Sequence, residues 1–240
     1  MGLALTVLGC SGSYPGPGTA CSGYLVDDGT TRAWVDAGSG TLANLQRHVA
    51  LEQVDAMVLS HEHADHWSDL ESWRVILELV LGRRGFPVYA PAGVRRRASD
   101  DTDGRIDWNV VTHGDAVNVG TLAFSFSRTD HGPETLGMRV DGGGRSLGYS
   151  ADTGPGWSLE ALGDGLDLAL CEATVPASRE GEMQHLSARQ AGASASAAGA
   201  SRLVLTHIWP SVDPERSRAE GSEAFGAAVE VASVGARYEA

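Results

Sequence analysis

Short apolar runs recur along the chain, and each of them ends in a polar or glycine-rich loop. Their length and their content of β-branched residues are typical of buried strands. The predicted strands are LALTVLG, GYLV, RAWVDAG, AMVLS, VYA, LAFSFS, GMRV, RSLGYS, LDLALCE and RLVLTH. Helical segments separate many of these runs, so the pattern predicts a fold of the α/β class.

Two helices are indicated by capping boxes, in which a serine is followed three residues later by glutamate or glutamine. Ser68 has the glutamate and predicts a helix over about 69–81. Ser187 has the glutamine and predicts a helix that runs to about residue 199 through an alanine-rich stretch. Because alanine is the best helix former, we interpret this stretch as a helix and not as a linker.

The 240 residues contain no long polar linker, which favours a single domain over residues 1–240. No apolar run approaches the ~18 residues of a membrane span, so we expect no membrane association. A Gly-x-Gly-x-x-Gly fingerprint and a Walker loop are also absent from the sequence, which leaves no basis for predicting a dinucleotide or a P-loop site.

Charge and cysteine content narrow the classes of partner. The chain has 18 basic residues, all arginine, against 31 acidic residues, and its net charge is -13. Long nucleic acids favour a broad basic surface, so we do not expect them as partners. The three cysteines, Cys10, Cys21 and Cys171, have no CxxC spacing, which argues against a disulfide framework and fits the reducing cytoplasm.

The chemistry of the chain is concentrated in LSHEHADHW, directly after the strand AMVLS. Here His61, His63, Asp65 and His66 lie within six positions, and His61 and His63 can direct their imidazoles to one point. A solvated polar loop is the alternative, but nothing structural requires so many imidazoles at a strand end. Imidazole and carboxylate without thiolate suit zinc, manganese or iron.

Partners for this cluster are expected at other strand ends, because the loops at one edge of a sheet collect the chemistry of α/β proteins. Three candidates occupy such positions. His131 follows LAFSFS, Asp152 follows RSLGYS, and His207 ends RLVLT. Together with the cluster they complete a set of seven ligands for two metal ions.

The motif H-x-H-x-D-H resembles the signature of the metallo-β-lactamase superfamily, and the resemblance covers nearly the whole chain. It implies a four-layer αββα sandwich that binds two divalent metal ions, zinc in the first place and manganese or iron as alternatives. It also implies how the ligands divide: the first metal takes His61, His63 and His131, the second takes Asp65, His66 and His207, and Asp152 bridges the two.

Three further positions, His113, Asp36 and Ala151, bear on the choice and the support of these ligands. His113, in VVTHGD, competes with His131 for the third-ligand role, but GDAVNVGTLAFSF looks like the turn and two strands that precede that ligand in the family. Asp36 resembles the buried aspartate that supports the ligand loop, although a turn-forming aspartate before glycine is an alternative interpretation. Ala151 stands where the family usually has glycine, and its methyl group is expected to crowd the loop slightly.

The last third of the chain resembles one branch of the superfamily. The segments CEATVP and QHLSARQAG are similar to those of ribonuclease Z-like phosphodiesterases, in which a glutamate orients a histidine at a helix start. Here these residues are Glu172 and His185, with Cys171 where ribonuclease Z commonly has a histidine. LGCSGS and LTHIWP look most like the actinobacterial branch of cyclic-nucleotide phosphodiesterase-like hydrolases.

The resemblance implies a phosphodiesterase that acts on a small nucleotide, such as a cyclic nucleotide, through a hydroxide generated by two metals. Asp65 would orient this hydroxide and accept its proton, and His185 would stabilise the phosphoryl oxygens or protonate the departing alkoxide. An exposed loop histidine is the alternative for His185.

The insertion between the cluster and His131 carries Arg83, Arg84 and the arginine run 95–97. These side chains could form a phosphate clamp, but solvated charges at helix ends are the better interpretation.

Other functions remain open. A thioester or lactone hydrolase of the same fold needs the seven ligands but not Glu172 and His185. A ribonuclease Z-like RNA 3′-processing endonuclease is a second alternative, although the chain has no insertion like the long basic arm of ribonuclease Z and its net charge would repel a large RNA. A non-catalytic metal-binding subunit would be expected to have lost ligands. The sequence leaves the oligomeric state open, with a homodimer as one alternative.

Overall fold

Two mixed sheets of seven strands each are the main elements of the computed structural model, which describes residues 2–99 and 103–240. The first sheet has the order β14-β1-β2-β3-β4-β5-β6. Its strands are β1 (Ala4–Gly9), β2 (Gly23–Asp27), β3 (Arg32–Ala37), β4 (Ala56–Val58), β5 (Phe86–Ala90), β6 (Ile106–Val110) and β14 (Arg237–Glu239). The pairs from β14 to β3 are antiparallel, and those from β3 to β6 are parallel.

The second sheet has the order β13-β12-β11-β10-β9-β8-β7. Its strands are β7 (Ala116–Val119), β8 (Leu122–Arg128), β9 (Leu136–Gly142), β10 (Arg145–Tyr149), β11 (Leu168–Glu172), β12 (Leu203–Thr206) and β13 (Glu230–Val231). The pairs from β7 to β10 are antiparallel and those from β10 to β13 are parallel. Each sheet is therefore antiparallel on one side and parallel on the other.

The two sheets pack face to face, because successive side chains of a strand point to opposite faces. Leu5 and Val35 of the first sheet share one buried cluster with Phe124 and Leu170 of the second. The other faces are covered by helices. On the first sheet these are α1 (Thr41–Leu45), α2 (Asp69–Leu79) and α3 (Ala92–Arg97), and on the second they are α4 (Ala188–Ala197) and α5 (Pro214–Phe225). The predicted four-layer αββα sandwich is confirmed.

The two predicted capping boxes have different outcomes. At α4 the box is present: the Ser187 hydroxyl accepts from the Gln190 N–H, and the Gln190 side chain accepts from the Ser187 N–H. At α2 the helix begins at Asp69 as predicted, but the box is absent, because Ser68 has helical backbone angles and its side chain makes no cap hydrogen bond. The Glu71 carboxylate binds the Ser99 N–H and Arg74 instead.

The carboxyl ends of the parallel strands lie at one edge of the sandwich, and the functional residues follow them. β3 and β4 end there in the first sheet, and β10, β11 and β12 end there in the second. Gly38, just after β3, lies so close to the Asp65 carbonyl oxygen that a Cβ would collide with it. Within the described part of the chain, none of the helices combines the length and the apolar character that crossing a membrane requires.

Candidate metal centre

Strand ends from both sheets bring the seven predicted ligand side chains to this edge. The loop after β4 supplies His61, His63, Asp65 and His66, and the segments after β8, β10 and β12 supply His131, Asp152 and His207. Their donor atoms form two groups, and the atoms of each group lie within 4.8 Å of one another. The groups are His61, His63, His131 and Asp152, and Asp65, His66 and His207.

The first group converges on Nδ1 of His63. His61 Nε2 lies 3.0 Å from this atom, and His131 Nε2 lies 3.2 Å from it. Asp152 Oδ2 lies 3.5 Å from His61 Nε2 and 3.9 Å from His131 Nε2. Three imidazoles and one carboxylate therefore face a common point.

The second group lies on the other side of the same aspartate. Nε2 of His66 and Nε2 of His207 are 3.2 Å apart, and Asp65 Oδ2 lies 3.2 Å from the latter. Asp152 Oδ1 lies 3.2 Å from His66 Nε2 and 3.4 Å from His207 Nε2. Asp152 thus turns one carboxylate oxygen to each group, which is the arrangement of a bridging carboxylate.

The hydrogen bonds of Nδ1 in His66 and His207 show that the Nε2 atoms of both rings turn lone pairs to the second group. His66 donates its Nδ1–H to Asp36 Oδ2 at 2.7 Å. His207 donates its Nδ1–H to Thr174 Oγ1 at 2.7 Å, because Thr174 gives its own proton to Glu172 Oε2 at 2.5 Å. The two Nε2 atoms face each other at 3.2 Å with their lone pairs turned towards the same point. Two such lone pairs repel each other unless a proton or a metal ion lies between them, so these residues fit a bound cation.

The first group fits a metal for the same reason. His61 donates its Nδ1–H to Ser60 Oγ at 3.0 Å, and the Ser60 proton goes to Asp36 Oδ2 at 2.8 Å. His131 donates its Nδ1–H to the Gln184 carbonyl oxygen at 3.1 Å. Both rings therefore direct an Nε2 lone pair at the group, with the tautomer fixed from behind as in protein metal sites.

Asp152 gives a further indication. Its side chain is buried, and its Oδ1 atom accepts no hydrogen bond. A buried carboxylate oxygen without a partner is costly, and a bound cation would remove that cost. The preceding residue, Ala151, has a φ of 50°, in the left-handed region that favours glycine. The crowding expected at Ala151 is thus a backbone cost of the turn that presents Asp152.

Asp36 connects both groups to the fold. Its carboxylate is fully buried and accepts hydrogen bonds from His66, from the N–H and hydroxyl of Ser60, and from the Tyr149 hydroxyl. Asp36 has a φ of 52° at the end of β3. The structure therefore supports the interpretation of Asp36 as the buried aspartate that holds the ligand loop in place, and not as a turn-forming residue.

The electrostatics of the centre favour positive charge. Burial lowers the pKa of His61 well below its ordinary value, which keeps this imidazole neutral and able to bind a cation. Burial also acts against charge on His66, but the carboxylates of Asp152, Asp65 and Asp36 outweigh it and raise its pKa well above the ordinary value. A point that stabilises an imidazolium so strongly also attracts a metal cation.

Beside the centre, Glu172 and His185 form the predicted pair. His185 Nδ1 lies 2.9 Å from Glu172 Oε1, and a ring nitrogen of His185 lies within 4.8 Å of donor atoms of Asp152 and His207. Glu172 is fully buried at the end of β11 and also accepts from the Thr153 and Leu186 N–H groups. Burial alone would lower the pKa of His185, but the Glu172 carboxylate outweighs it and raises this pKa to about 9.

Several candidates lie away from the centre. His113 is exposed, and its Nδ1 accepts from the Arg128 N–H, so the structure does not bring it to the ligand groups. Arg83 stacks on Phe86 and donates to the Val54 carbonyl oxygen. Further along the insertion, Arg84 donates to the Asp103 carbonyl oxygen, and Arg96 and Arg97 pair with Glu62 between the two first histidines.

Two hydroxyl residues of the centre were not identified from the sequence. Thr174 connects Glu172 to His207, and Ser60 connects Asp36 to His61. The signal that could have found them is their position, since both lie within two residues of a strand end that carries a candidate site residue. Serine and threonine are common at strand ends, however, and only the three-dimensional packing selects these two.

Comparisons with known proteins agree with this geometry. A family model described as the Beta-lactamase superfamily domain matches residues 31–208. The uncharacterized protein Rv1339 of Mycobacterium tuberculosis is 37% identical to this chain, over 92% of this chain and 86% of its own length. Ribonuclease Z of Methanopyrus kandleri is 29% identical over 93% of both chains.

Among solved structures, the metallo-beta-lactamase fold protein YhfI from Bacillus subtilis is similar along the full length of both chains. The TM-score is 0.93 and the sequence identity is 28%. A likeness of this extent includes both sheets and every strand end that carries a candidate ligand.

Proposed function

This chain belongs to the metallo-β-lactamase superfamily, and from that membership we propose that it is a metal-dependent phosphodiesterase whose substrate is a small nucleotide such as a cyclic nucleotide. The observation that carries this proposal is the His185–Glu172 pair beside the two ligand groups. The seven ligands alone would serve any hydrolase of this fold. The added pair supplies what a phosphodiester with a poor leaving group requires.

The residues that would hold two divalent cations, zinc in the first place, are those of the two ligand groups, with Asp152 between them. When bound, such cations make water a nucleophile at neutral pH and neutralise charge on the phosphoryl oxygens. The side chain of Asp65 is 13% exposed, so its carboxylate reaches the open side of the centre. There it would orient the attacking water and accept its proton.

His185 would protonate the leaving alkoxide. Its Nδ1 faces Glu172, which fixes the orientation of the ring and leaves the other nitrogen for the substrate. The Glu172 carboxylate favours the protonated ring, which is the form that a general acid needs. A general acid in this position contributes about 10²- to 10⁴-fold to turnover.

Two further observations support this substrate class. The relative named ribonuclease Z is a nuclease, which favours phosphodiesters over thioesters and lactones for this chain. The net charge of -13 disfavours a long RNA, because an acidic surface repels an extended polyanion. A nucleotide with a single phosphodiester carries few charges, so an acidic surface repels it much less.

The test of this proposal compares leaving groups. His185→Ala should retain its metal, since no ligand is removed, and should lower turnover of a cyclic nucleotide about 10²- to 10⁴-fold. Turnover of a nitrophenyl phosphodiester should fall much less, because nitrophenolate leaves without a proton. Glu172→Gln should show the same pattern more mildly.

His113→Ala, which removes an exposed histidine outside the centre, is the matched control and should behave like the wild type. Equal losses on both substrates at full metal content would contradict the general-acid role. Turnover of lactones or thioesters without turnover of any phosphodiester would contradict the proposed function itself.

A further inference from the structure

An indole ring lies beside the metal centre. Trp209 is two residues beyond His207, and its side chain is half-buried. Its Nε1–H donates to Ser13 Oγ at 3.0 Å, while the backbone N–H of Ser13 lies 3.3 Å from His207 Nε2. Ser13 therefore connects the ring to the ligand His207 through two hydrogen bonds.

A guanidinium covers this ring. Arg179 lies with its central carbon 5.1 Å from the centre of the Trp209 ring system. It belongs to the turn Ala177–Arg179, in the segment that separates Glu172 from His185. Its side chain is 41% exposed, and its ion pair is with Glu182, which is itself 52% exposed. An exposed ion pair of this kind holds its partners weakly, so Arg179 can move off the ring at little cost.

We propose that Trp209 and Arg179 form the subsite for the base of a nucleotide, with the base stacked on the indole ring and the guanidinium. This inference rests on the proposed function for the identity of the reacting phosphodiester. Aromatic rings and guanidinium planes are the side-chain surfaces on which bases stack in nucleic-acid-binding proteins.

The expected gains in affinity favour stacking of a base on Trp209 over the present contact of Trp209 with Arg179. Stacking of one base on an aromatic ring is worth about 5- to 150-fold in affinity. A cation–π contact at an exposed site is worth only about 2- to 5-fold. Arg179 also places positive charge at the rim of an acidic protein, where it offsets the repulsion of a nucleotide anion.

The experiment measures equilibrium binding of AMP and of ribose 5-phosphate to the zinc-loaded protein by titration calorimetry. The two probes share sugar and phosphate, so the ratio of their dissociation constants isolates the base. Trp209→Leu should weaken AMP binding about 10-fold and leave ribose 5-phosphate binding unchanged. Trp209→Phe should keep most of the AMP affinity, and Arg179→Gln should weaken AMP binding about 3-fold.

Controls of matched chemistry are Trp108→Leu, at a half-buried tryptophan on β6, and Arg216→Gln, at an exposed arginine paired with Glu220 on α5. Both should bind AMP like the wild type. The zinc content of each variant, measured by elemental analysis, should equal that of the wild type. Kinetic measurements on a cyclic nucleotide should show that Trp209→Leu raises KM about 10-fold with kcat nearly unchanged.

An unchanged ratio of the two dissociation constants in both Trp209→Leu and Arg179→Gln would overturn the inference. Equal weakening of both probes would also overturn it, because the substitution would then act on the metal centre. Turnover of phosphodiesters with equal affinity for the two probes overturns the base subsite and leaves the proposed function intact. Base-dependent binding through Trp209 without any phosphodiester turnover supports the subsite and overturns the proposed function.

Discussion

At the scale of residues, the geometry of the centre is set by what lies behind each imidazole. Asp36, Ser60, Thr174 and the Gln184 carbonyl oxygen each accept a ring N–H, and this fixes which nitrogen remains for a cation. These supporting contacts should contribute to metal affinity, because a ring that is free to rotate or to change tautomer binds metal less tightly.

Thr174 allows a direct test of this statement. Thr174→Val keeps the shape of the side chain but removes the acceptor for the His207 Nδ1–H and the donor to Glu172. We expect the affinity for the second metal ion to fall about 10- to 100-fold, while the first ion stays bound. Zinc titration followed by elemental analysis measures both ions.

The matched control is Thr206→Val, since the Thr206 hydroxyl is equally buried but bonds to the Tyr24 hydroxyl and not to a ligand. This variant should bind both ions like the wild type. Equal zinc affinity in Thr174→Val and Thr206→Val would show that the threonine does not support His207.

The seven ligand positions could be predicted from the sequence because each follows an apolar run that forms a strand, and strand ends meet at one edge. Asp36 is also predicted from the sequence, but only its four hydrogen bonds distinguish the supporting aspartate from a turn-forming one. Thr174 and Ser60 were not foreseen, because a hydroxyl at a strand end acquires its role only through the partner opposite. The structure places all seven ligand side chains together, but their binding of metal stays a prediction.

At the scale of elements, the start of α4 positions His185, the proposed general acid. His185 lies three residues before the first residue of this helix, and the capping box at Ser187 fixes where the helix begins. The Ser187 hydroxyl also donates to Glu180. The start of α2 resembles it in sequence but not in structure, because the Glu71 N–H donates to the Ser68 carbonyl oxygen and the Ser68 hydroxyl is buried without a hydrogen bond.

The two serines should therefore respond differently to the same substitution. Ser187→Ala should lower the free energy of unfolding by about 1–2 kcal/mol, since it removes a helix cap. Ser68→Ala should have an effect near zero or stabilise slightly, because it removes a buried hydroxyl that has no partner. Urea denaturation of both variants measures the difference. Equal destabilisation would contradict the assignment of the two caps.

At the scale of the whole molecule, the edge opposite the metal centre joins the two sheets. Asp28 and Thr31, in the turn between β2 and β3, bond to Thr121 in the turn between β7 and β8. Burial opposes ionisation of Asp28, but the Thr121 hydroxyl and the N–H groups of Thr31 and Thr30 outweigh it and lower the pKa of its carboxyl. These hydrogen bonds thus join the two sheets at one edge, and the candidate metal centre lies at the opposite edge.

This lowered pKa makes the contribution of Asp28 dependent on pH. Asp28→Asn should lower the free energy of unfolding by about 1–2 kcal/mol at pH 7, because the charge-assisted hydrogen bonds are lost. A carboxyl whose pKa is depressed by folding stabilises the protein above its ordinary value of 3.8 and loses this effect as the pH falls through the folded value. The difference between wild type and variant should therefore shrink below about pH 4.

Urea denaturation between pH 7 and pH 3 measures this difference. Asp107→Asn, at an exposed position of β6, is the control and should unfold like the wild type at each pH. A difference between Asp28→Asn and the wild type that stays constant over this range would show that the Asp28 charge does not stabilise the junction.

The sheets could be predicted from the sequence wherever a strand is buried on both faces. All ten apolar runs form strands, among them ALTVLG and LVLT. The sheet edges were harder to foresee. β6 has only one buried position in IDWNV, and β13 has only two residues, so neither contains an apolar run. Edge strands bury less surface, and their pairing depends on neighbours that are distant in the sequence.

Hydrolysis by this protein should depend on metal ions held by the two ligand groups. The most direct test is to measure phosphodiester turnover after removal of metal with a chelator, and again during stepwise addition of zinc or manganese. Turnover should disappear with the metal and return with metal content up to two ions per chain, because each ligand group would hold one ion. Full turnover by a preparation shown by elemental analysis to be free of metal would contradict this account.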